Sequence, residues 1–285
     1  MRILKTAVLM GLIATGTMLG MCAGVQAAST LDGYDRAKVA NSEYVKMHGT
    51  KEMPEAKNDP ELAATMKKYV FGDIAKQTKI TNTERQLVTI VVLATGRNHK
   101  MLGEAVTGAL NTGVKPLEVR EALYHIAPYI GFPKTFEALE ITNNAFKKAG
   151  IKLPLPKQGT TTDEDRFAKG LQFQLDKYGE RINTMRNNTP DYQKHLMDDL
   201  AAFCFGDTYT RGTLDYKTRE MLTMAAIGTL GTGDAQYKSH VAGTLASGAT
   251  KEEVIGVITT MNPYIGFPRT LNCLRIANEV FNAKQ

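Results

Sequence analysis

The chain of 285 residues contains no tryptophan, and aromatic residues make up only 7%. It has three cysteines, none in a Cys-x-x-Cys arrangement, so the usual dithiol redox motif is missing. Basic residues adjoin only at Lys67-Lys68 and Lys147-Lys148; the net charge of +6 is scattered and offers no stripe to a phosphate backbone. Nucleic acid is therefore not an expected partner. The histidines His48, His99, His125, His195 and His240 never fall at ligand spacing on one helix, and no glycine-rich phosphate cradle or nucleophile elbow occurs. No cofactor and no metal are implied. What remains, 43% hydrophobic and 22% charged, is the balance of an ordinary globular chain, neither disordered nor many times membrane-spanning.

An uncharged apolar stretch from Thr6 to Val25 follows Arg2 and Lys5 and ends at Val25-Gln26-Ala27, a small-residue cleavage site. This predicts a signal peptide over 1–27 and an exported protein, periplasmic or secreted. A lipoprotein anchor on Cys22 is the rival, disfavoured because Met21 before it is large for a lipobox. Loss of Arg2 and Lys5 takes the charge from +6 to +4. Cys204 and Cys273 then remain, either as one disulfide or as two buried free thiols, the second being favoured.

The rest of the chain is written twice. Pro128-Tyr129-Ile130-Gly131-Phe132-Pro133 recurs 135 residues later as Pro263-Tyr264-Ile265-Gly266-Phe267-Pro268. Phe71-Gly72-Asp73 returns as Phe205-Gly206-Asp207, and Asp35-Arg36 as Asp165-Arg166. The first copy is placed at 28–150 and the second at 160–285, with a Pro-, Gly- and Thr-rich linker over 151–165 between them. Comparing the copies resolves one ambiguity. Leu87 to Leu93 is β-branched enough for a strand, but its counterpart Met221 to Ile227 consists of helix formers, so both are buried helices. A second helix follows in each copy, to about Asn111 and Ser247. Pro116-Leu117-Glu118 and Thr250-Lys251-Glu252-Glu253 start a third. Pro128 and Pro263 are expected to break that helix, with Phe132 and Phe267 filling core beyond it. No strand pattern survives, and the fold class is all-α.

The order of helices, the spaced glycines, the Glu-Val pair and the doubled Tyr-Ile-Gly-Phe-Pro turn resemble the carboxymuconolactone decarboxylase family, which includes alkylhydroperoxidase D-type reductants. The resemblance covers about 83–146 and 217–281 and implies two tandem helical domains of that type. It also implies ring assembly: a homo-oligomer, for instance a trimer of tandem chains. Glu220 and His240 stand where the family places its acid/base pair. A hairpin turning near Thr232 brings them within reach, and a glutamate bonded to the imidazole would fix its tautomer for general acid/base work. Tyr237, one turn before His240, is a candidate donor to a developing enolate. Arg219, Arg269 and Tyr264 are candidate substrate-binding groups. Copy one has Gln86 and Ala105 at the paired positions and is expected to be a structural partner. The reading is an exported, cofactor-free enzyme acting on a small carboxylated lactone or keto acid. Its rivals are an antioxidant oxidoreductase, for which only Cys204 is available, and a non-catalytic scaffold binding a small molecule or partner.

Overall fold

The structure is a computed structural model describing residues 29–283; the expected leader and Cys22 lie outside the described residues. Among the described residues every regular element is helical, and none is long and apolar enough to cross a membrane. From Asp35 onward both copies belong to one compact unit.

Two helices form its centre, Asn82–Thr95 of copy one and Tyr216–Leu230 of copy two, packed on each other. The first starts at a capping box between Thr81 and Glu84, and the second where Asp215 accepts from the Thr218 amide. Leu87, Ile90, Met221, Leu222 and Met224 are fully buried in a core common to both copies. Burying each such side chain stabilises by roughly 1.5–3 kcal/mol, enough to override the modest helix propensity of the β-branched stretch.

The repeated short motifs now have a reason. Helix Arg36–His48 lies against the π-helical turn Lys68–Ile74, and helix Arg166–Tyr178 against the π-helical turn Leu200–Tyr209. In each copy the arginine that opens the helix pairs with the aspartate of Phe-Gly-Asp: Arg36 with Asp73 and Arg166 with Asp207. The glycine of that motif is a packing requirement. A Cβ at Gly72 would stand 2.7 Å from the Arg36 carbonyl, and one at Gly206 would overlap the Arg166 carbonyl.

Two expectations need correction. Pro263 does not break its helix; it lies inside the element Lys251–Asn282, which is interrupted only at Gly266. A proline removes one backbone donor, whereas Gly266, at φ 74° and ψ 163°, leaves the helical region altogether. In copy one the helix ends earlier, at His125, and Gly131 (φ 82°) makes the equivalent turn. Phe132 and Phe267 do not fill core; they are 53% and 59% exposed, because that turn swings them outward. Residues 151–160 form no helix, and Arg120 holds them by donating to the carbonyls of Leu155 (2.9 Å) and Pro156 (2.7 Å). Cys204 and Cys273 are buried free thiols.

Candidate functional site

Glu220 lies in the second turn of the central helix Tyr216–Leu230 and is fully buried. A buried carboxylate is costly unless donors surround it, and here three converge. Tyr178 Oη (2.9 Å) and Tyr209 Oη (2.8 Å) donate to Oε1, and His240 Nδ1 (2.9 Å) to Oε2. Since the carboxylate only accepts, Nδ1 carries a proton, and the second ring nitrogen, Nε2, is the one left for chemistry. Room for the pair comes from Gly243, one turn beyond His240 on the helix Asp234–Ala246, where a Cβ would overlap Glu220 Oε2.

Behind Glu220 a chain of hydrogen bonds runs in one direction. Arg219 Nη1 points at His125 Nδ1 at 3.4 Å, so the proton of this buried imidazole sits on Nε2, which bonds the Arg219 carbonyl (3.0 Å) and Thr223 Oγ1 (2.9 Å). Thr223 Oγ1 lies 3.1 Å from Tyr209 Oη, which passes its own proton to Glu220. Burial and then the Arg219 charge hold the His125 pKa well below the usual histidine value, and burial above all raises the Tyr178 and Tyr209 phenols. These groups act as neutral donors that orient Glu220.

His240 opens on a cavity of about 590 Å³. Its wall includes Tyr129, Tyr178, Cys204, Ser239 and Arg181, whose guanidinium stacks over the Tyr178 ring at 4.9 Å. No carboxylate lines it among the described residues. Tyr129 belongs to copy one: its hydroxyl is 3.1 Å from Tyr209 Oη, and its ring meets the His240 ring edge-on at 5.9 Å. Cys204 Sγ donates to Tyr129 Oη at 3.7 Å, and burial pushes its thiol up to about 12.

Of the residues singled out in the sequence, the fold brings Glu220 and His240 together and sends the others elsewhere. Tyr237 is buried against Gly228 and beside Cys273, because three residues leave it about 60° to one side of His240, while Gly243, three residues on, lies about 60° to the other side, toward Glu220. Arg219 is no substrate clamp; it is 1% exposed and spends its donors on the carbonyls of Arg211, Gly212 and Leu214. Arg269 holds the Thr229 carbonyl at 2.7 Å on a separate surface. Tyr264 faces a different cavity, in copy one. Sequence reasoning missed Tyr129, Tyr178, Tyr209, Arg181 and His125. The intact repetition of Pro-Tyr-Ile-Gly-Phe-Pro was the available signal, since each copy's tyrosine enters the other copy's cavity.

Comparison with known proteins agrees with this architecture. The family model for the carboxymuconolactone decarboxylase family matches residues 60–144 and 194–279, once per copy. A 4-carboxymuconolactone decarboxylase of Acinetobacter baylyi is 28% identical over 120 residues, 42% of this chain and 89% of the relative. A nitrosuccinic acid decarboxylase of Metarhizium robertsii is 30% identical over 123 residues, 42% of this chain and 84% of the relative. A solved structure from Burkholderia xenovorans, described as a gamma-carboxymuconolactone decarboxylase subunit, shares the fold with TM-score 0.51 and 18% identity, covering 88% of this chain and 99% of that one.

Proposed function

The chain belongs to the carboxymuconolactone decarboxylase family, and we propose that its second copy is an exported decarboxylase working by acid/base chemistry at His240. The observation that carries this reading is the Glu220–His240 pair, at 2.9 Å, on the wall of a cavity of about 590 Å³ that has a cation and no carboxylate of its own. The two named relatives both decarboxylate acids whose second substituent, a lactone or a nitro group, withdraws electrons. The substrate class proposed is thus a small carboxylate whose carbanion, once CO₂ leaves, is delocalised onto a neighbouring carbonyl or nitro oxygen.

Arg181 anchors a carboxylate of such a substrate. The bond between the carboxylate carbon and its neighbour breaks, CO₂ departs, and the electron pair moves onto the electron-withdrawing group. His240, protonated on Nε2, then delivers a proton to carbon and recovers it from water. Glu220, held by Tyr178 and Tyr209, stabilises the imidazolium through Nδ1–H. The Tyr129 hydroxyl borders the same space with its proton directed to Tyr209 Oη, since Tyr209 gives its own to Glu220. The antioxidant reading draws less support: Cys204 is a protonated thiol near neutral pH, and among the described residues no second thiol lines the cavity.

The test is CO₂ release from a panel of lactone, β-keto and β-nitro carboxylic acids. We expect turnover of at least one member, falling by about 10²–10⁴-fold in His240→Ala, which also takes one donor from Glu220 and should cost about 1–3 kcal/mol while the protein stays folded by circular dichroism. Turnover that survives His240→Ala sinks the proposal.

A further inference from the structure

The decarboxylation step in the His240 cavity leaves one charge without a named partner. As the carbon–carbon bond breaks, its electron pair becomes negative charge on a carbonyl or nitro oxygen of the substrate. A developing oxyanion in a cavity needs a hydrogen-bond donor aimed at it. The hydroxyls around Glu220 are spent. Tyr178 and Tyr209 each give their one proton to Glu220, Tyr129 gives its own to Tyr209, and His240 Nδ1 also donates to Glu220. The Cys204 thiol points at Tyr129 Oη. Arg181, exposed at the rim, is assigned to the substrate carboxylate. Thr232, Gln236 and Ser239 are exposed or half-buried, where water competes for them.

Gln174 is left. It lines the same cavity and, at 2% exposed, is the most deeply buried residue of that wall. Yet its amide has no hydrogen-bond partner among the described residues. A buried amide costs free energy when it pairs with nothing, so one kept on a cavity wall marks a place that ligand or water must satisfy. The fold does not demand an amide here. At the offset of 130 residues that carries Asp35-Arg36 to Asp165-Arg166, Gln174 answers to Tyr44, which lines the copy-one cavity and packs edge-on to Phe71 at 5.0 Å. A phenol ring serves that place in copy one; copy two has an amide with two N–H donors. The amide is also held firmly. Gly170, one turn earlier on the helix Arg166–Tyr178, is pressed so close that a Cβ there would overlap the Ala201 carbonyl. One turn later on the same face stands Tyr178, which shares the Glu220 carboxylate with His240. Gln174 therefore lies about 6 Å along its helix from a residue that orients the proton donor, a span that a small substrate bridges.

We propose that Gln174 donates a hydrogen bond from Nε2 to the substrate oxygen that gains charge as CO₂ leaves. The assignment rests on the decarboxylation reading of this cavity. The bond from the carboxylate carbon to its neighbour breaks, CO₂ departs, and the electron pair is delocalised onto the carbonyl or nitro oxygen beside Gln174. The amide is too weak an acid to release a proton, so the species formed is an enolate or nitronate anion and not a neutral enol. His240 then protonates carbon, and the charge on oxygen is withdrawn into the new C–H bond. The substrate class is narrowed accordingly: a carbonyl or nitro oxygen at the Gln174 end and a carboxylate at the Arg181 end.

The experiment compares 3-nitropropionate with its nitronate, which carries the carboxylate and the charged oxygens of such an intermediate. Both are titrated calorimetrically into the full chain bearing His240→Ala, so that no imidazole protonates the nitronate, with and without Gln174→Met. With Gln174 present the nitronate is expected to bind about tenfold or more tightly than the nitro compound, and with methionine no better, the circular dichroism spectrum being unchanged. In the chain with His240 intact, Gln174→Met should lower kcat about 10²-fold and change KM by less than about threefold. A nitronate preference that survives Gln174→Met, no nitronate preference at all, or a loss confined to KM overturns the proposal. Should no acid of the panel release CO₂ while the nitronate preference depends on Gln174, the decarboxylation reading fails and the donor assignment stands.

Discussion

The two copies have diverged at the side chains that meet Glu220 and have kept those that shape the backbone. Copy two surrounds Glu220 with His240, Tyr178 and Tyr209; the matching positions in copy one are Gln86, Ala105, His48 and Ala75. Arg219, Thr223, Gly243 and Tyr129 find counterparts in Arg85, Thr89, Gly108 and Tyr264. A buried carboxylate is stable only with its donors, so the charge and its partners are kept or lost together. Copy one has exchanged that network for methionine sulfur and hydrocarbon: Gln86 Nε2 lies 3.5 Å from Met47 Sδ. Yet copy one is not idle, since Tyr129 and His125 enter the copy-two network from across the shared core.

Substitutions that make copy two more like copy one sharpen this comparison. The largest effect is expected for Glu220→Gln, which gives copy two the copy-one residue. The amide cannot accept from three donors, and turnover should fall by about two orders of magnitude, with a loss of roughly 1–3 kcal/mol in chemical unfolding. Next come the paired glycines. Gly243→Ala drives a methyl into the Glu220 carboxylate and should cost about 1–3 kcal/mol together with most of the activity. At Gly108 the nearest obstacle is the tip of Met47, 2.7 Å from the added Cβ, which can swing aside; behind it Met47 Cβ stands at 3.2 Å and needs only a small shift. Gly108→Ala should therefore change stability by less than about 1 kcal/mol, the gain in helix propensity offsetting the crowding. Equal costs in the two variants would break the comparison.

Arg181→Ala is expected to raise KM about tenfold with kcat nearly unchanged, since it removes one charge-assisted contact to a bound carboxylate. The smallest effect is on stability against pH. The folded His125 pKa is lowered, so below about pH 6.5 the unfolded chain takes up a proton that the folded chain refuses. Stability should be fully present above that pH and decline below it, by at most about 1.4 kcal/mol per pH unit from His125, with His48 adding a contribution in the same direction. His125→Asn should flatten the slope; an unchanged slope would show that His125 is not the group responsible.

Much of this was legible in one dimension. Duplication shows as identity at a fixed offset, and helix starts show as Thr81-x-x-Glu84 and Thr250-x-x-Glu253, because a cap is a contact three residues long. The nearness of Glu220 and His240 follows from a hairpin's length. Tyr237 failed the same reasoning because the roughly 60° between it and His240 turns it toward a different neighbour, and spacing along one helix does not say which neighbour lies in each direction. Arg219, a candidate substrate-binding group in the sequence, is buried because the loop 211–214 folds over it.

The sequence alone determined that there are two all-helical units, where most helices begin, and which copy holds an acid and an imidazole one hairpin apart, since each rests on local spacing. Which tyrosines hold that acid was decided only when copy two folded on itself, and which cavity each repeated turn serves only when the copies packed face to face. The contacts Tyr178–Glu220, Tyr129–Tyr209 and His125–Thr223 join residues 42, 80 and 98 positions apart, and no local periodicity encodes a partner at that distance.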